Sequence, residues 1–160
     1  VHFFGQYHHS LDAKQRLAIP AELREILKPK THGEALIAAP GPNGTLCLWP
    51  ELTFEAHAQA LGGSIVGDED LQQWERLVFS QAARLTFDTA GRVRIPDRLL
   101  QAYALGGAVT ILGVRDHLEV VDTAEWQREQ DRLAPLQNEL WARARRALAE
   151  RKATGGPGAA

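Results

Sequence analysis

Apolar and polar positions alternate in two short stretches of the 160-residue chain, and each stretch runs into a proline. In the first, Leu17 and Ile19 are the apolar positions and Arg16 and Ala18 fall between; in the second, Val93 and Ile95 alternate with Arg92 and Arg94. Strand side chains point alternately to two faces, so the apolar pair of each stretch is expected inward and the other pair outward. Pro20 and Pro96 lack a backbone donor and bias the preceding residue to extended geometry, so both strands should stop there. Beyond each proline, residues 21–27 and 97–102 take helical apolar spacing, and proline suits the first turn of a helix.

The two stretches are copies of one pattern. Leu11, Asp12, Arg16, Leu17, Ile19 and Pro20 match Phe87, Asp88, Arg92, Val93, Ile95 and Pro96 in kind and spacing, which implies two copies of one structural unit. Asp12 and Asp88 are the turn-shaping residues, because a carboxylate at the first turn position accepts hydrogen bonds from the amides ahead of it. Gly91 supplies the left-handed conformation that closes a four-residue hairpin loop.

The rest of the chain extends the repeat. Residues 1–9 read as an opening strand. Residues 34–39 and 45–49 read as a hairpin around the turn-rich 40–44, with 108–114 and 117–121 around Arg115 and Asp116 as its counterpart. Each unit is thus strand, hairpin, strand, helix, strand, hairpin, strand. Between the units, 51–61 and 68–83 are expected as helices separated by Gly62 and Gly63, the second capped by Asp68. Its stripe of Leu71, Trp74, Leu77 and Val78 suits core or subunit contact better than a ligand pocket. A last helix is expected from about 123 to 152 with a bend at Pro135. Its Arg143, Arg145, Arg146, Arg151 and Lys152 either touch phosphate or are a solvated helix end favoured by the dipole.

Composition adds limits. A hydrophobic fraction of 44% and charged fraction of 24% are those of an ordinary globular protein. No apolar run is long enough to cross a bilayer, and no basic-then-apolar leader opens the sequence, so the expected location is cytoplasmic, with no membrane partner. The net charge of -2 argues against indiscriminate coating of nucleic acid, but its distribution is uneven. Residues 12–30 carry five cations against three anions and residues 84–98 four against two, whereas 51–83 are acidic.

Candidate chemistry is sparse. The single cysteine, Cys47, sits among apolar residues and reads as a buried structural thiol. His2, His8 and His9 do not make a metal site: adjacent strand residues diverge, and no cysteine pair, helical histidine pair or carboxylate set completes a shell. Gly62 and Gly63 lack a following lysine for a phosphate loop, and no nucleophile motif or second catalytic carboxylate accompanies His8, His9 and Asp12. The chain is therefore read as no enzyme, with no catalytic or metal-binding residue, no cofactor and no small-molecule substrate.

The run from Gln6 to Pro20, with the second Asp-x-x-x-Arg at Asp88 to Arg92, resembles the MraZ family of bacterial transcriptional regulators, over nearly the whole chain to about residue 145. The resemblance implies an α+β fold. Two tandem AbrB-like swapped-hairpin units would form a small pseudo-symmetric β-barrel flanked by helices, with repeats at 1–53 and 84–126, a helical connector at 54–83, a C-terminal helix at 127–152 and a flexible tail at 153–160. It also implies a ring homo-oligomer, expected as an octamer, on the promoter direct repeats of double-stranded DNA. The targets would be division and cell-wall genes, including the protein's own operon, under repression by a nucleoid-associated regulator. In one departure, Gln15 stands where the family commonly has glycine, so the first loop should either take another turn or hold about 1 kcal/mol of strain.

On this reading Lys14 and Arg16 are the first DNA-binding candidates and Arg92 and Arg94 the second, because arginine pairs with guanine or clamps phosphate and lysine adds mobile charge. The structural alternative is that Arg16 and Arg92 merely bridge to Asp12 and Asp88. The competing function is an oligomeric scaffold that binds an acidic protein partner.

Overall fold

The computed structural model describes residues 2–155 and has mixed α+β architecture. The first repeat comprises β1 (Gln6–Ser10), β2 (Arg16–Ala18), α1 (Ala21–Ile26), a short α2 (Pro29–His32), β3 (Ala35–Pro40) and β4 (Leu46–Pro50). Helices α3 (Glu51–Ala60) and α4 (Glu69–Gln81) connect it to the second, which comprises β5 (Ala83–Thr86), β6 (Arg92–Arg94), α5 (Asp97–Ala102), β7 (Ala108–Val114) and β8 (His117–Asp122). The C-terminal helices are α6 (Thr123–Leu133) and α7 (Gln137–Ala153), separated by a 3-10 turn at Ala134–Leu136 that contains Pro135, where the sequence places the bend. The chain divides into two compact units, Val1–Thr123 and Ala124–Ala160. The expected tail lies largely outside the described residues.

The repeats exchange strands. One antiparallel sheet runs β1-β7-β8-β4-β3-β5, and a separate ribbon pairs β2 with β6. The opening strand of each repeat therefore pairs with the third strand of the other, β1 on β7 and β5 on β3, while β4 and β8 meet at the middle. Relabelling one repeat as the other reproduces the order reversed, an internal pseudo-two-fold. The strands do not close into the expected barrel. β1 and β5 remain as the edges of the six-stranded sheet, because β2 and β6 are three residues long, end at Pro20 and Pro96, and pair with each other instead of bridging those edges.

Exchange also explains the core. Leu17, Ile19 and Leu23 of one repeat and Val93, Ile95 and Leu99 of the other pack in a single cluster with Leu36, Leu46, Leu48, Val109, Ile111 and Leu118. The alternation in the sequence is realised, since both apolar pairs of the ribbon are fully or almost fully buried. Asp68 caps α4, its carboxylate accepting from the amides of Asp70 and Leu71. Val78 alone of the α4 stripe is buried; Trp74 and Leu77 are 47% and 54% exposed.

Candidate nucleic-acid interface

Each Asp-led turn is tied by its own carboxylate. Asp12 Oδ1 accepts the amides of Lys14 and Arg16, both at 2.9 Å, and Oδ2 accepts Arg16 Nε at 2.7 Å. Asp88 repeats this with the amides of Ala90 and Arg92 at 2.9 Å and Arg92 Nε at 2.8 Å. Main-chain bonds close the loops, Gln15 N–H donating to Asp12 O at 3.0 Å and Gly91 N–H to Asp88 O at 3.0 Å. Both carboxyls are held below the usual carboxylate range. The amide of Arg16 or Arg92 lowers the pKa first, desolvation opposes it, and the same residue's guanidinium adds a further lowering.

The two turns are also joined to each other. Ile19 N–H donates to Gly91 O at 3.1 Å and Ile95 N–H to Gln15 O at 3.0 Å, so each loop is held by the strand of the other repeat. Arg16 Nη1 stands 3.9 Å from Asp88 Oδ2, and Arg92 Nη1 stands 3.9 Å from Asp12 Oδ2. Two arginines and two aspartates thus form a reciprocal square whose formal charges cancel. The ladder sets Arg16 opposite Arg94 and Ala18 opposite Arg92, which places Arg16, Arg92 and Arg94 on the outward face over a row of buried apolar residues. Arg94 is exposed, with one contact at 3.5 Å to Gln15 Oε1; Lys14 is exposed at the first tip.

Gln15 occupies the same left-handed turn as Gly91, with φ of 61° against 76°. The alternative of a different first turn does not arise, and the reason lies across the pseudo-two-fold. Arg24 of α1 lies over Gly91 while its Nε donates to Ile19 O at 2.9 Å, and a Cβ on Gly91 would stand 2.4 Å from its guanidinium carbon. The matching position over Gln15 is Leu100, which lines a cleft together with Gln15 and leaves a side chain room.

The structure brings Lys14, Arg16, Arg92 and Arg94 to one ribbon, with Asp12, Asp88 and Gly91 shaping it. Of the other basic residues that make the repeats locally positive, Lys28 and Lys30 are exposed, whereas Arg84 and Arg98 are committed elsewhere. Arg84 binds Glu51 at 2.5 Å, and Arg98 donates to the carbonyls of Gln81 and Ala82 at the end of α4. On α7, Arg143 pairs with Glu139, whereas Arg145, Arg146, Arg151 and Lys152 are exposed. Sequence reasoning missed the reciprocal pairing and the place of Arg24; numbering the two copies against each other would have set Arg24 against Leu100. It also missed a group formed by buried Cys47 and His117 with part-buried Glu119, to which strand pairing brings Cys47 from the other repeat.

Fold and ribbon together define a tandem-repeat α+β protein that displays cationic side chains from two interlocked turns. The family model described as "MraZ protein, putative antitoxin-like" matches residues 78–149. A transcriptional regulator MraZ from Roseiflexus sp. (strain RS-1) is 34% identical over 125 residues, covering 78% of this chain and 84% of the relative. Those of Heliobacterium modesticaldum and Symbiobacterium thermophilum are 31% and 32% identical over 138 and 136 residues, with 86% and 85% of this chain and 93% and 95% of each relative covered. The chain belongs to the MraZ family, whose curated members are named as transcriptional regulators and not as enzymes. No helix among the described residues is long and apolar enough to cross a membrane.

Proposed function

We propose that the chain is a sequence-specific DNA-binding transcriptional regulator whose β2–β6 ribbon is the DNA-facing element. The observation that carries this reading is the ribbon itself: three arginines on one outward face, rigidly based on a shared core, with Lys14 at a tip. The aspartates divide the labour among them. Arg16 and Arg92 are pre-set in one rotamer by Asp12 and Asp88, so little freedom is lost when their part-exposed guanidinium groups dock on phosphate or guanine. Arg94 and Lys14 supply the positive charge that the square does not cancel, and they are the first residues to meet phosphate.

One ribbon with so small an excess of charge binds DNA weakly. Assembly into a ring homo-oligomer, an octamer on the family's pattern, would present the ribbon repeatedly to direct repeats in the promoter, and linked contacts multiply affinity without new chemistry. The exposed Trp74 and Leu77 of α4 suit contact with a second copy of the chain. In this account 1–53 and 84–126 are the DNA-binding repeats, 54–83 the connector and 127–152 an accessory helix. The protein represses its own operon within the division and cell-wall cluster as a cytoplasmic, nucleoid-associated regulator. Footprinting the purified chain on the DNA upstream of its own gene tests this: evenly spaced protected repeats are expected, and uniform or absent protection would refute it. If the same arginines instead served an oligomeric scaffold that binds an acidic protein, the chain would show no preference between that DNA and a scrambled duplex.

A further inference from the structure

At the middle of the six-stranded sheet, β4 from the first repeat and β8 from the second meet in a ladder of three pairs, Leu46 with Val120, Cys47 with Glu119 and Leu48 with Leu118. The flanking pairs join the shared core. Cys47 and Glu119 therefore lie on the other face, where His117, two residues along β8, joins them. One donor atom from each of the three lies within 4.8 Å of the others. Cys47 is fully buried and His117 only 8% exposed.

The imidazole is fixed from outside the cluster. Its Nδ1 bonds Asp116 Oδ1 at 3.0 Å, and Asp116 Oδ2 in turn meets His57 Nε2 at 3.1 Å. The ring stacks on Trp49 with centroids 4.2 Å apart. These restraints turn His117 Nε2 inwards, where it is buried without a hydrogen-bond partner and stands 3.5 Å from Glu119 Oε1. Buried polar atoms are seldom left unpaired, so this one is informative.

We propose that Cys47 Sγ, His117 Nε2 and the Glu119 carboxylate form a binding site for a divalent zinc-class cation that clamps the two repeats at their seam. A sulfur, nitrogen and oxygen donor set is that of zinc, whereas calcium and magnesium take oxygen shells. Zinc bonds of about 2.0–2.3 Å in a tetrahedron set neighbouring ligand atoms roughly 3.3–3.8 Å apart, which brackets the His117 to Glu119 distance. Asp116 is the carboxylate that orients a ligating histidine through its second nitrogen. On loading, Cys47 and His117 release to solvent the protons carried on Sγ and Nε2. A thiolate and a carboxylate then balance the dication, so no net charge is buried. A groove lined by Trp49, His57 and Asp116 borders the imidazole of His117.

Titration of the metal-free full chain with Co2+ tests the site. The chain has one cysteine, so a sulfur-to-cobalt charge-transfer band can arise only from Cys47. One equivalent should produce that band with the intense visible bands of tetrahedral cobalt, Zn2+ should abolish both, and Zn2+ should raise the melting temperature. Glu119→Gln should weaken Co2+ binding at least about tenfold, and Asp116→Asn should do so with the stoichiometry unchanged. Cys47→Ala should lose the band and the Zn2+ shift; should it fail to fold, Glu119→Gln carries the test alone. A folded wild type without the band at one equivalent, or a band that Glu119→Gln leaves unaltered, overturns the proposal.

Discussion

Asp12 and Asp88 are each one carboxylate with three tasks: closing a turn, seating an arginine and touching the arginine of the other turn. Because their folded-state pKa lies below the ordinary value of about 3.9, the stability they contribute is complete above that pH and is lost as the pH falls through the folded value. Melting temperature followed from pH 6 to 2 should therefore drop more steeply for the wild type than for an Asp12→Asn, Asp88→Asn double variant. Gly91 gives a second residue-scale expectation. At φ 76° and beneath the Arg24 guanidinium, Gly91→Ala should cost about 1–2 kcal/mol in urea denaturation. The role of the aspartates was legible in the sequence because an Asp-led turn is a local device. The fate of Gln15 was not, because the space that accommodates it depends on Leu100, a residue of the other repeat.

Among the elements, the strands and their stops follow from alternation and proline, and the hairpins around 40–44 and 115–116 fall where the turn residues place them, whereas the Asp-led turns, expected as hairpins too, join strands that pair elsewhere. Partner choice does not follow from such signals. A short strand with apolar residues on alternate positions suits any neighbour, so the pairing of β1 with β7 and β5 with β3 was not legible in either strand alone, and neither was the failure of the sheet to close. The ribbon shows what the pairing achieves: Leu17 and Val93 face each other from different repeats and are both fully buried. Leu17→Ala should accordingly cost about 2–5 kcal/mol in chemical denaturation and loosen both tips together, seen as a loss of amide-exchange protection at residues 12–19 and 88–95 alike. At α4, where Asp68 makes a local cap, Asp68→Ala should cost about 1 kcal/mol with the ribbon unaffected.

For the whole molecule, the proposed function makes the balance of charge decide how DNA is engaged. The chain carries -2 overall, several of its basic residues are tied to carboxylates or carbonyls, and the arginine square is neutral in sum. What faces outward with uncompensated charge on the ribbon is Arg94, joined by Lys14 at the first tip, and the proposed assembly would strengthen that excess by repeating it. Family membership and the bridges of Arg16 to Asp12 and Arg92 to Asp88 could be read from the paired motif, whereas the reciprocal contacts between the two turns required the coordinates, since they cross the interface between repeats. The most direct test is fluorescence anisotropy of the full chain on a duplex from upstream of its own gene and on a scrambled duplex, for the wild type and a Lys14→Ala, Arg94→Ala double variant of unchanged oligomeric state. The account expects the wild type to prefer its own sequence and the variant to bind it at least about tenfold more weakly, with a shallower dependence on salt. Equal affinity of the two proteins for that duplex would contradict it.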